Sequence, residues 1–216
     1  MSPTAGGRSM LKYLRARVVA TIGFMVLVAG ARAQSAGQVF KSPLKNFTVL
    51  VPDFVFGTKV VKQSDKNGGG LVLFWGKDGE WQRIDYFKIP EHSPVPADST
   101  ERYAYFHKLL DALLHDHDAR ILTERGETLD GIMMLNALIV FTAESHLSVS
   151  HNGQPAKRLD STRGILVFAR ETFIYILQDE VGAPIFNQGD EVPTTEQLGR
   201  RSDEYLPKFY RSITFL

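Results

Sequence analysis

The residues in this chain best suited to chemistry lie in a twelve-residue run, His107 to Asp118, HKLLDALLHDHD. Side chains four apart on a helix stand above one another. His107, Asp111 and His115 would therefore share one edge and present two imidazoles and a carboxylate to zinc or another divalent metal. His117, just beyond, could add a further ligand. The competing reading is a polar helix edge, with the histidines favoured by the negative end of the helix dipole. A second set is aromatic. Trp75, Trp81 and Tyr86, with Phe87, could line a pocket for a sugar or an apolar molecule, although rings on strands also fill cores. A third mixes Ser145, His146, Ser148, Ser150 and His151 with Asp160. It has the residue types of a hydrolase but no G-x-S-x-G elbow around any serine. Gly68-Gly69-Gly70 lacks the spacing of a phosphate cradle. The acid pairs Asp179-Glu180 and Asp190-Glu191 are expected in a loop without EF-hand spacing. Arg200-Arg201 and Lys208 to Arg211 alternate with acids, as on a solvated helix face.

These groups must be held by elements that the pattern of the chain defines. Phe47 to Pro52 and Thr58 to Gln63 read as strands, followed by a loop over Ser64 to Gly70. Leu71 to Pro90 reads as a hairpin turning at Gly76 to Gly79. Both its strands carry apolar residues on both faces, which places the hairpin near the middle of a covered sheet. Asp98, with Glu101 three residues on, opens a helix to about His117, and Tyr103, Phe106, Leu110, Leu113 and Leu114 form its apolar stripe. Strands follow at Arg120 to Thr123 and, after a Leu129-Asp130-Gly131 turn, at Ile132 to Thr142. A second hairpin pairs Gly164 to Phe168 with Thr172 to Gln178. Thr194 and Gln197 cap a last helix, in which Pro207 should bend or end the coil. Arg211 to Leu216 is β-like. Strands outnumber helices and hairpins dominate, which predicts an α+β fold, an antiparallel sheet with helices packed on its faces.

The first 33 residues are expected to be a secretory signal. Arg8, Lys12, Arg15 and Arg17 form a basic region, Val18 to Gly30 is an unbroken apolar run, and Ala31-Arg32-Ala33 offers small residues for cleavage. The run is shorter than the roughly 20 residues of a spanning helix. An uncleaved anchor is the alternative. The expected organisation is a signal over 1–33, a short leader over 34–45 and one α+β domain over 46–216. The whole chain carries a net charge of +1, but all 24 acids follow residue 33 and five of the 25 basic residues precede it. The chain from Gln34 therefore carries −4, which gives no reason to expect binding to nucleic acid or to an anionic membrane. The absence of cysteine excludes disulfides, thiolate metal sites and a cysteine nucleophile.

The order of these elements, with FTVLVPD at Phe47 to Asp53, LDG at Leu129 to Gly131 and FYRSITF at Phe209 to Phe215, resembles the PsbP-like fold family. This is the α/β/α sandwich shared by photosystem PsbP and the Ran-binding Mog protein. The resemblance covers about Asn46 to Leu216. It implies a role in binding or assembly and no shared catalytic residues. Together these observations predict an exported, periplasmic or secreted, non-enzymatic binding or assembly domain. Its expected partner is another envelope or secreted protein, with no cofactor and no stable membrane span after signal cleavage. The alternatives are a small metal-dependent enzyme using the His107, Asp111 and His115 edge, and a carrier of an apolar small molecule.

Overall fold

The computed structural model describes residues 37–55, 57–62, 68–76, 81–145, 148–149, 157–182 and 193–216. The expected signal, the Lys77 to Gly79 turn and Asp190-Glu191 lie outside them. A seven-stranded antiparallel sheet runs in the order β3-β4-β5-β11-β10-β7-β6. Its strands are β3 (Gly57–Lys62), β4 (Gly69–Trp75), β5 (Trp81–Lys88), β6 (Ala119–Leu129), β7 (Ile132–Phe141), β10 (Ser161–Arg170) and β11 (Phe173–Gly182). A small sheet of β1 (Val39–Lys41), β2 (Phe47–Leu50) and β12 (Ile213–Phe215) has β2 in its centre. A short pair, β8 (Ser148–Val149) and β9 (Lys157–Arg158), lies between β7 and β10. Helices α1 (Ser99–Leu114) and α2 (Thr195–Arg211) complete the fold.

Strand alternation divides the large sheet into two apolar faces. On β11, Ile174 and Ile176 join Ile165 and Val167 of β10 and Leu135, Ala137 and Ile139 of β7 beneath Phe106, Leu109, Leu110 and Leu113 of α1. The intervening residues Tyr175, Leu177, Leu166 and Phe168 point the other way. There they meet Leu206, Phe209 and Tyr210 of α2 and Phe40, Phe47 and Val49 of the small sheet. Edge-on ring contacts knit this second core: Phe47 with Tyr86 at 5.2 Å, Tyr175 with Phe215 at 4.9 Å and Phe168 with Tyr210 at 5.4 Å. The chain is thus an α+β protein, an antiparallel sheet with helices packed on both faces.

Several expectations need correction. Residues 39–41, expected within the leader, form β1, because Phe40 is buried and Val39 to Lys41 pair with Leu50 to Thr48. The Leu71 to Pro90 hairpin is displaced toward one edge; the centre is β11, flanked by β5 and β10. Gly69 and Gly70 belong to β4 rather than to a loop, since the Tyr86 ring lies across Gly70 where a Cβ would stand. The strand expected at Arg120 to Thr123 continues to Leu129. The first helix stops at Leu114, with Asp98 Oδ1 accepting from the amides of Thr100 at 2.9 Å and Glu101 at 3.0 Å. The Thr194 and Gln197 capping box forms in full, but α2 continues through Pro207 to Arg211. Leu206, Phe209 and Tyr210 are buried on either side of the proline, so packing offsets the lost backbone bond.

Two glycines separate packing from propensity. A Cβ at Gly164 would collide with Ser202 Oγ and lie 2.8 Å from Leu206 Cδ1, whereas one at Gly199 of α2 meets nothing within 4 Å. Gly164→Ala should destabilise by about 1–3 kcal/mol through overpacking. Gly199→Ala should stabilise by about 0.5–1 kcal/mol through helix propensity. Urea unfolding of the two variants beside the parent measures both signs.

Candidate functional site

The histidines of the first run do not gather. His107 sits within α1 with Nδ1 2.7 Å from Glu124 Oε1 on β6 and Nε2 3.5 Å from Asp111 Oδ2. Tyr103, one turn earlier, donates its hydroxyl to the same Glu124 oxygen at 2.7 Å. That bond and burial push the tyrosine up to about 12. His115 is the exposed C-cap. His117 lies past the helix end, where its Nδ1 pairs with Glu144 and its ring meets Phe141 edge-on at 5.4 Å. Among the described residues no group of three or more His, Asp or Glu side chains is arranged to hold a metal.

The aromatic set divides across the sheet. Tyr86 is buried against Phe47 in the α2-side core. Trp75 and Trp81 are cross-strand partners on the opposite face. Trp81 is buried, and Trp75, half-buried, lies across Gly57 of β3. Of the hydrolase set, Ser145 is fully buried and its amide donates to Leu159 O at 2.9 Å, while Asp160 accepts from the Ala143 amide at 3.0 Å. His146, Ser150 and His151 lie outside the described residues. Asp179 and Glu180 are not in a loop but in β11, pointing to opposite faces of the central strand.

The structure assembles a polar cluster that no local pattern announces. Arg163 of β10 is 7% exposed, with its guanidinium carbon 4.0 Å from the Phe141 ring centroid and 4.8 Å from that of Trp81. Its Nε donates to Ser161 Oγ at 2.9 Å and its terminal nitrogen to Glu144 Oε2 at 3.1 Å. Burial alone would raise the Glu144 carboxyl, but the His117 bond and the Arg163 charge outweigh it and hold the group below its usual range. Glu180, the neighbour of Arg163 across β11, is raised mainly by burial, against donors from Ser161, Ser145 and Trp81 and the charge of Arg163. Beside this group Arg83 clasps Asp85 with bonds of 2.6 and 2.7 Å, and Gln178 Nε2 adds a third to Asp85 at 3.1 Å. Every cation in the cluster has an anionic partner. Its chemistry is that of a clamp fixing the β7–β10 connection to the sheet. Stability from the depressed Glu144 is present above the ordinary carboxylate pKa and lost as pH falls through the lower folded value.

An open depression of about 470 Å³ lies at the other end of α1, lined by Ser99, Thr100, Tyr103, Gly126, Glu127, Thr128 and Met133. Gly126 permits it: a Cβ there would stand 3.1 Å from Tyr103 Cδ2, so the bare backbone lets the ring settle onto β6. Tyr103 is the member of the Tyr103, Glu124 and His107 chain that lines it. Sequence spacing pointed to His107 and Tyr103 on α1 but not to β6, because the partnership with Glu124 spans 17 to 21 residues.

No protein-family model matches the chain, and no curated protein matches it. Among solved structures it is similar to cyanobacterial PsbP (CyanoP) of Synechocystis, at 12% identity over 91% of this chain and 99% of that one, with a TM-score of 0.47. It is also similar to the Ran-binding protein Mog1p of Saccharomyces cerevisiae, at 11% identity over 84% and 96% and a TM-score of 0.43. A protein of Bacteroides thetaiotaomicron gives 10% identity over 84% of this chain and 49% of its own, with a TM-score of 0.42. PsbP and Mog are the proteins named in the resemblance drawn from the sequence, and the likeness is one of fold. Similarity at this level transfers no partner and no chemistry.

Asp179 supplies a direct electrostatic test. It is 7% exposed, bonded to Gln82, and burial pushes it up to about 7 from 3.8. A carboxyl raised on folding withdraws stability as pH rises from the unfolded value through the folded one. Asp179→Asn should therefore be more stable than the parent by roughly 2–4 kcal/mol at about pH 8. The gap should close toward about pH 4, as read from urea midpoints across that range.

Proposed function

We propose that the protein is an exported, non-enzymatic binding or assembly domain that docks a periplasmic or secreted protein partner at the depression between α1 and β6. One observation carries this reading. The depression is open and shallow, walled by a helix and an edge strand, and mixes Met133 and Tyr103 with the polar Ser99, Thr100 and Thr128. Enclosed small-molecule sites bury most of a ligand's surface, whereas a broad open recess accepts one side chain of a larger partner. The basic, apolar and small-residue order of residues 8 to 33 supports export. No helix among the described residues is long and apolar enough to cross a membrane.

The test is affinity capture from an envelope fraction with the full chain, the Thr128→Arg variant and a Glu196→Arg control on α2. Both positions are exposed, so the fold and Tm should be unchanged. A partner held by the parent and the control should be lost about tenfold or more in Thr128→Arg, as for a residue central to an interface. Equal capture by all three chains would remove the depression from consideration. A stoichiometric metal lost on His107→Ala with His115→Ala would favour the metal-dependent enzyme. A co-purifying apolar molecule displaced by Trp75→Ala would favour the carrier.

A further inference from the structure

Four large hydrophobic side chains are left exposed among the described residues, and three of them, Val39, Leu50 and Leu216, belong to or adjoin the three-stranded sheet at 54%, 50% and 65% exposure. Alternation explains the arrangement. Phe40, Phe47, Val49 and Ile213 point inward to the core, so Val39, Lys41, Thr48, Leu50 and Thr214 face outward. Val39 and Leu50 are directly opposed across β1 and β2, and Lys41, Thr48 and Thr214 form the next row. Lys45, at the tight turn between β1 and β2, is exposed with φ 57°. None of these outward residues is acidic. Among the described residues, neither Lys41 nor Lys45 is matched by a carboxylate in an ion pair. Leu216 lies at the far end of the sheet, where its amide donates to Asn46 O at 3.0 Å, and is left out of the seat.

An apolar pair bordered by Lys41 and Lys45 suits the anionic headgroup layer of a bilayer, where apolar tips enter the interface and lysines meet the lipid charge. The net charge of −4 from Gln34 onward does not oppose this, because charges beyond about 8–10 Å are screened and the local pair decides the contact. We infer that the outer face of the β1-β2-β12 sheet is a reversible docking surface for an anionic phospholipid bilayer. It is separate from the α1–β6 depression and does not rest on the binding assigned there.

The chain has no cysteine, so Leu50→Cys provides a single attachment point for an environment-sensitive fluorophore. Glu196→Cys on α2 is the control. The full chain is mixed with vesicles of phosphatidylcholine, with or without phosphatidylglycerol. The probe at position 50 should shift to the blue and be quenched by brominated lipid only when phosphatidylglycerol is present. High salt should reverse the effect, and Lys41→Glu with Lys45→Glu should lower the docked fraction on the order of tenfold. The probe at 196 should not respond. All these positions are exposed, and circular dichroism checks that each variant folds. No shift, an equal shift in phosphatidylcholine alone, or a concentration-dependent shift without vesicles, which would mark self-association of this face, each overturns the inference.

Discussion

The alternation of side chains along β10 and β11 is the constraint on which the rest of the molecule depends. These paired strands are apolar on both faces for most of their length, so neither face can be left in water. Fully burying each Val, Leu, Ile or Phe contributes about 1.5–3 kcal/mol, and this pair carries seven such residues from Ile165 to Leu177, with Tyr175 besides, in the two cores. One helix cannot cover both sides. The chain supplies α1 above β7 and β10, and α2 with the small sheet below β10 and β11. The antiparallel register from Arg163 to Arg170 against Glu180 to Phe173 fixes which residue meets which layer. A one-residue slip would exchange the two cores and drive Arg163 into the apolar layer beneath α2.

That constraint also positions the polar features. Arg163 and Glu180 occupy the face of α1 but lie beyond the part of the sheet that α1 covers. They are therefore buried by Trp81, Phe141 and the root of the β7–β10 connection instead of by the helix. Truncating one member of such a pair leaves the other charge without compensation, which is why these clusters are costly to disturb. The depression arises for a related reason. Helix α1 packs over β7 and β10 and reaches the edge strand β6 through Tyr103 and His107, and only a backbone without a side chain at Gly126 lets Tyr103 close the gap. The clamp closes over one end of the sheet, and the depression beside β6 stays open.

Much of this architecture was legible locally. The N-caps Asp98 and Thr194 and the Asp130-Gly131 turn are short-range signals, and each appears where the sequence places it. The β-rich character of Ile132 to Phe141 correctly overrode its helix-like length. The failures are all long-range. Nothing near Phe40 shows that it will fill a core with Phe74 and Phe47, so β1 read as leader. The central place of β11 depends on pairing with β5 across about 90 residues, which a hydrophobic run cannot disclose. Pro207 obeys its local rule only weakly because tertiary packing outweighs it. At the candidate sites, spacing grouped His107, Asp111, His115 and His117 by helical period, but His107 and His117 found carboxylates on β6 and after β7. The Arg163 cluster had no sequence signature, since its members come from four separate strands and loops.

The central functional claim is that the molecule acts through the α1–β6 surface while the buried charge cluster serves the fold. Hydrogen exchange of the full chain with and without its captured partner tests this most directly. Exchange should slow on binding in residues 99–103 and 126–133, with no change in residues 141–145 and 161–165. Protection confined to the Arg163 segments, with the first turn of α1 and the β6–β7 turn unaffected, would contradict it.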